Sequence, residues 1–150
     1  MMPKYVLDAC ALLAFIYKES GCDIVKSALI QADNGNSEVY MNKLNLLEVY
    51  YNIVRTDGVQ QADNFYAVVL KLPIIIINGL TDEVFRKAGY IKTQYKMSLA
   101  DSVALGEASI LDASILTSDH HEFDTIESQE TIRFLWIREK SSGAQADNNA

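Results

Sequence analysis

Apolar residues in this chain fall into two spacings. Tyr5-Val6-Leu7, Val39-Tyr40-Met41, Ile74-Ile75-Ile76-Ile77 and Ser114-Ile115-Leu116-Thr117 are runs of three or four residues, short enough and apolar enough for strands buried in a parallel sheet. The Ile74 to Ile77 run, all β-branched after Pro73, is expected to be buried on both faces, and residues 131–136 predict a fifth strand. Between the strands, helical spacing predicts helices over residues 10–17, 23–32, 43–55, 60–70, 82–97 and 98–111. Ile24, Ala28 and Ile30 are expected to face inward on the second of these. Glu19-Ser20-Gly21, Asp33-Asn34-Gly35-Asn36 and Asp57-Gly58 punctuate the helices as breaks or turns. Asn42, Thr81 and Ser98 stand at N-cap positions, where a short polar side chain accepts from an otherwise unpaired backbone N–H. Short strands alternating with helices predict an α/β fold around a parallel sheet. Residues 141–150 are polar or small and read as a frayed tail, leaving residues 1–140 as one domain without internal repeats.

Four acids interrupt this pattern where apolar or neutral residues belong. Asp8 follows the first strand, Glu48 lies within Leu44-Asn45-Leu46-Leu47-Glu48-Val49, Asp101 within Leu99-Ala100-Asp101-Ser102-Val103, and Asp119 follows the fourth strand. Carboxylates are almost never fully buried without a partner, yet no Lys or Arg lies within three positions of any of the four. Each has an ordinary structural reading. Asp8 can cap the helix after it, Asp101 can close a capping box with Ser98, and Asp119 can be a turn residue. Glu48 resists such a reading, because it shares a stripe with Leu44 and Tyr51 on a helix apolar nearly all round.

Composition narrows the class. A chain of 150 residues with 49% hydrophobic content suits one packed domain. No apolar run approaches the ~20 residues that span a bilayer, and an acid at position 8 comes too early for a signal peptide. Cys10 and Cys22 are too few for a disulfide framework, which fits free thiols and a cytoplasmic setting with no membrane partner. The net charge of −7 opposes nucleic-acid binding, unless several acids share a cation that reverses the local field.

If the four acids converge, a divalent cation is their natural counter-charge. Three or four oxygen ligands suit Mg²⁺ or Mn²⁺, which keep part of their hydration and can orient a phosphodiester and activate water. Asp8 and Asp119 follow strands at their carboxyl ends, where open parallel sheets bind ligands. The chain shows no phosphate loop and no GxGxxG, and nothing in it pairs a nucleophilic Ser with a His.

Four segments carry a family resemblance: Val6-Leu7-Asp8-Ala9-Cys10-Ala11-Leu12-Leu13-Ala14, Asn45-Leu46-Leu47-Glu48-Val49, Ser98-Leu99-Ala100-Asp101-Ser102-Val103-Ala104-Leu105, and Ile115-Leu116-Thr117-Ser118-Asp119-His120-His121-Glu122-Phe123. In this order and spacing, over roughly residues 4–138, the chain resembles the PIN-domain family, specifically the VapC-type ribonuclease toxins of toxin–antitoxin pairs. The resemblance implies a three-layer α/β/α fold with a mainly parallel sheet and a Mg²⁺ or Mn²⁺ centre. It also implies cleavage of RNA phosphodiesters, a homodimer, and a cognate antitoxin as partner. It makes Asp8, Glu48, Asp101 and Asp119 the catalytic and metal-ligating acids, with Thr117 a supporting hydroxyl. Cys10 departs from the family, which places Ser, Thr or Asn two residues after its first Asp. Asp124 is a spare acid, ranked below Asp119 because Phe123 aligns with the residue that packs inward. His120 and His121 read as exposed loop residues rather than zinc ligands, since HxxxH and CxxC spacings are missing. Lys92 and Lys96 are one helical turn apart and are candidates for phosphate contacts, against the alternative of a solvated helix face. Two competing readings stay open: a non-cleaving PIN-like module that binds RNA or antitoxin, and a phosphoryl-transfer domain, which lacks a second acid beside Asp8.

Overall fold

The expected strands all form and join one sheet. The computed structural model describes residues 2–140, the side chain of Glu122 excepted. Its elements run β1 (Lys4–Leu7), α1 (Ala9–Ile16), α2 (Cys22–Asp33), β2 (Glu38–Asn42), α3 (Lys43–Asp57), α4 (Val59–Val69), β3 (Ile75–Ile77), α5 (Asp82–Gln94), α6 (Leu99–Leu111), β4 (Ser114–Thr117), α7 (His120–Gln129) and β5 (Arg133–Trp136). The tail expected at 141–150 lies outside the described residues. Among those residues no helix is long and apolar enough to cross a membrane.

The strand order is β3-β2-β1-β4-β5, and every pairing is parallel. The register sets Val6 beside Ile115 and Leu7 beside Leu116. Because successive strand residues face opposite ways, these pairs serve two cores. Leu7 and Leu116 pack with Leu12, Val25, Leu46 and Val49 on the α1–α4 face, while Val6 and Ile115 pack with Ile91, Leu105, Phe123 and Ile126 on the other. The result is a three-layer α/β/α sandwich. Asn42, Thr81 and Ser98 cap α3, α5 and α6, accepting from Leu44 N–H at 2.9 Å, Val84 N–H at 3.2 Å and Asp101 N–H at 3.1 Å. On the second face α5 and α6 pack backbone to backbone at Gly106, where an added Cβ would sit 3.3 Å from Ala88 N and Val84 O.

Topology fixes where chemistry can occur. From β1 the chain steps outward through β2 to β3, then crosses back to lay β4 and β5 on the opposite side of β1. The reversal puts the topological switch point at the carboxyl ends of β1 and β4, the place where open α/β sheets bind ligands.

Three local expectations need correction. β3 is an edge strand paired only with β2, and Ile75 is 48% exposed, so the isoleucine run is not buried on both faces. On α2 the buried stripe is Val25, Ala28 and Leu29, whereas Ile24 and Ile30 are exposed. Residues 120–129 form α7 rather than a loop, and it buries Phe123 and Ile126 completely.

Candidate metal centre

Asp8 stands at the switch point, directly after β1. It is buried, and both its carboxylate oxygens are engaged: Oδ1 accepts from Ala11 N–H at 2.8 Å, capping α1, and Oδ2 accepts from the Thr117 hydroxyl. Thr117 ends β4 and in turn accepts from Asp119 N–H at 3.0 Å. One threonine thus ties the acid after β1 to the acid after β4, across the two strands that flank the switch point. The capping and functional readings of Asp8 are therefore compatible.

The electrostatics place all four acids in one environment. Burial pushes the Asp8 carboxyl up from 3.8 to about 7, against the lowering effect of the Thr117 and Ala11 hydrogen bonds and with help from the charges of Asp101 and Asp119. Burial also raises Glu48, with Asp119 adding repulsion. The Cys10 thiol is pushed up to about 12, first by burial and then by the negative fields of Asp8, Asp119, Asp101 and Glu48. A thiol held so high stays protonated and is a poor nucleophile. Cys10, the departure from the family pattern, sits among all four acids, and Asp8 draws its hydrogen bonds from Thr117 and Ala11 instead.

Among the described residues no three Asp, Glu, His or Cys side chains are gathered closely enough to hold an ion. The donors nevertheless suit Mg²⁺ or Mn²⁺ in chemistry, being carboxylate oxygens. They suit it in charge as well, because each of two acids is raised by another acid. The fit is one of donor type and field. A closed ligand cage is not drawn up.

Other candidates fall away from the site or join its edge. Asp124 belongs to a separate arrangement in which His120 Nδ1 meets its Oδ1 at 2.7 Å and Lys140 its Oδ2 at 3.1 Å. His120 is not an exposed loop residue. Its Nε2 lies 2.8 Å from the Arg138 carbonyl oxygen, and its ring stacks on Trp136 with centroids 3.8 Å apart. His121 is exposed. Lys92 is committed to structure, its Nζ donating to Met97 O at 2.7 Å in the turn before α6, while Lys96 is exposed.

Three features escaped sequence reasoning. Glu107 is a fifth acid within an apolar stretch of α6, 3% exposed, and accepts from the Asn42 side-chain amide at 2.9 Å; burial raises it. Asn45 is fully buried three residues before Glu48 and donates to Ala100 O at 2.9 Å. Arg55, one turn beyond the Tyr51 already read on the Glu48 stripe, holds its guanidinium carbon 5.4 Å from the centre of the Tyr51 ring. The signal for Glu107 and Asn45 was the one that marked the other acids, a polar residue in an apolar run.

Residues 5–128 match the PIN domain. Among curated proteins none matches the sequence. Among solved structures the chain is similar to VapBC2 from Rickettsia felis bound to a DNA fragment from their promoter, with a TM-score of 0.70 and 15% identity over 89% of this chain and 98% of that one. It is similar to VapBC-1 from nontypeable Haemophilus influenzae (TM-score 0.68, 14% identity, 89% and 98% covered). It is also similar to the Mycobacterium tuberculosis toxin VapC20, described as cleaving the sarcin-ricin loop (TM-score 0.61, 12% identity, 81% and 94% covered).

Proposed function

Because this chain belongs to the PIN domain family, we propose that it is a Mg²⁺- or Mn²⁺-dependent endoribonuclease, the toxin of a toxin–antitoxin pair. Asp8, Glu48, Asp101 and Asp119 are the acids that would hold the ion, and Thr117 orients Asp8. The observation that carries this reading is Asp8 itself, a buried carboxyl at the switch point, raised to about 7 and repelled by Asp101 and Asp119. Isolated acids in a plain fold are not expected to face each other in this way without an opposite charge. When bound, a divalent ion would lower the pKa of a coordinated water and offset charge on the leaving oxygen of a phosphodiester. The chain's own contribution is to hold the acids on two strand ends and two helices, and to keep the Cys10 thiol protonated and inert beside them. Lys96, and Arg55 on its tyrosine, are exposed cations available to RNA phosphates.

An antitoxin partner is supported by the VapBC complexes that share the fold. A homodimer and a cytoplasmic setting complete the proposal. Of the aromatic residues on α3 and α4, Tyr50, Tyr51, Phe65 and Tyr66, only Tyr51 is largely exposed, so the dimer rests mainly on the family. The non-cleaving alternative gains nothing from Cys10, the departure from the family pattern, because Asp8 draws its hydrogen bonds from Ala11 and Thr117.

Cleavage of mixed single-stranded RNAs tests the proposal. Wild-type protein with Mg²⁺ or Mn²⁺ is expected to cut them, and EDTA or Glu48→Gln to abolish cutting. Full cleavage by a clean Glu48→Gln preparation would contradict the assignment of the site.

A further inference from the structure

Among the described residues one buried side-chain oxygen or nitrogen lacks a hydrogen-bond partner: Oδ1 of Asn45. It belongs to the helix that carries Glu48. Asn45 precedes Glu48 by three residues on α3 and is 0% exposed. The two side chains therefore lie one helical turn apart. The Asn45 Nδ2 donates to the carbonyl oxygen of Ala100 at 2.9 Å, and Ala100 immediately precedes Asp101 on α6.

Helices α3 and α6 serve opposite cores of the sandwich, so this bond crosses between layers beside two of the four acids. The side-chain amide is planar. With Nδ2 fixed on Ala100, Oδ1 is confined to the same seam. Leaving a buried acceptor without a donor carries the full penalty of its desolvation. A leucine here, like Leu44, Leu46 and Leu47 around it, would carry no such penalty. The asparagine makes physical sense if something donates to Oδ1 in the working protein.

We propose that Asn45 is a positioning residue of the metal centre. Its Nδ2 locks the Glu48 helix to the turn that presents Asp101, and its Oδ1 accepts a hydrogen bond from one water of a hydrated divalent cation. This rests on the metal-centre reading. A neutral oxygen suits the task, because it receives a water proton without adding a charge to acids that already repel one another. An aspartate would add charge and lose the donor to Ala100, and a leucine would lose both functions. Mg²⁺ and Mn²⁺ retain waters when carboxylates bind them, so an acceptor outside the direct ligands has a partner to receive.

The test compares Asn45→Thr with Asn45→Val in EDTA-stripped full-length protein, measuring Mn²⁺ affinity by calorimetry and metal-free melting temperature. Thr and Val have the same shape, and only Thr keeps an oxygen. The proposal predicts similar melting temperatures for the pair, Mn²⁺ affinity of Asn45→Thr within about threefold of wild type, and of Asn45→Val at least about tenfold weaker. Asn52→Leu, on the same helix, should leave Mn²⁺ affinity unchanged. Equal Mn²⁺ affinity in the Thr and Val proteins would overturn this proposal alone. Failure of both to fold would assign Asn45 to the fold and overturn it too. Absence of Mn²⁺ binding by the wild type would bring down the metal-centre reading, and this inference with it.

Discussion

Asp8 caps α1 through one oxygen and receives the Thr117 hydroxyl on the other, so the group proposed as a ligand is also the cap of a helix. The sequence framed cap and ligand as alternatives for Asp8 and for Asp101, yet the caps observed exclude the proposed ligand role of neither. Ser98 caps α6 at the Asp101 amide while the Asp101 charge reaches Asp8 and Cys10. Local pattern reveals a cap because a cap spans three residues. It does not reveal Thr117 bonding to Asp8, which joins residues 109 apart in sequence; that contact came only through family likeness. Replacing Thr117 by Val keeps its shape and removes both hydrogen bonds. At pH 8, where Asp8 is ionised, the loss should cost about 1–3 kcal/mol. Urea unfolding measures it, and an unchanged midpoint would show that the Thr117 link is not needed to hold Asp8.

At the scale of elements, the strands and caps were legible because they follow local rules of run length and cap chemistry. Burial direction was not. Four isoleucines report a preference for extended backbone rather than depth in a sheet, and only the chain reversal after β3 shows that this strand forms the edge. Helix α7 escaped because Phe123 and Ile126 are the only buried apolar residues in its ten, too few to show helical periodicity. Gly21, read simply as a helix breaker, has a more exacting role. It adopts φ +93°, and an added Cβ would lie 2.5 Å from the carbonyl oxygen of Ile137. Gly21→Ala should therefore cost at least ~2 kcal/mol through backbone strain and the clash, seen as a fall of several degrees in melting temperature. A change below one degree would mean that the segments shift apart freely.

For the whole molecule, the raised carboxyls set the pH response of metal-free protein. Asp8 rises from 3.8 to about 7, and Glu48 and Glu107 rise too. A carboxyl whose pKa is higher when folded holds its proton more tightly in the folded state. Between about pH 4 and 7 the folded chain keeps protons that the unfolded chain releases, so stability falls as pH rises through that window. His120, raised above 6.5 chiefly by its bond to the Arg138 carbonyl, adds loss in the same direction at higher pH. Asp124, lowered by His120, acts only on acidification below 3.8. With EDTA present the protein should melt several degrees higher at pH 5 than at pH 8, and saturating Mn²⁺ should flatten or reverse the difference. A flat metal-free profile would show that Asp8 is not held protonated. The overall charge of −7 pointed away from nucleic acid. The proposed function answers it only if a cation among Asp8, Glu48, Asp101 and Asp119 reverses the local field.

The claim that the four acids form one metal centre is tested most directly by melting Asp101→Asn beside wild type, with and without Mn²⁺. Asparagine keeps the backbone amide that Ser98 caps and removes one of the charges that repel Asp8. The metal-free variant should melt at the same temperature as wild type or higher, because a repulsion is relieved, and its Mn²⁺-induced rise should collapse as affinity is lost. A variant that melts lower without metal yet gains as much from Mn²⁺ as wild type would return Asp101 to a purely structural role and contradict the account.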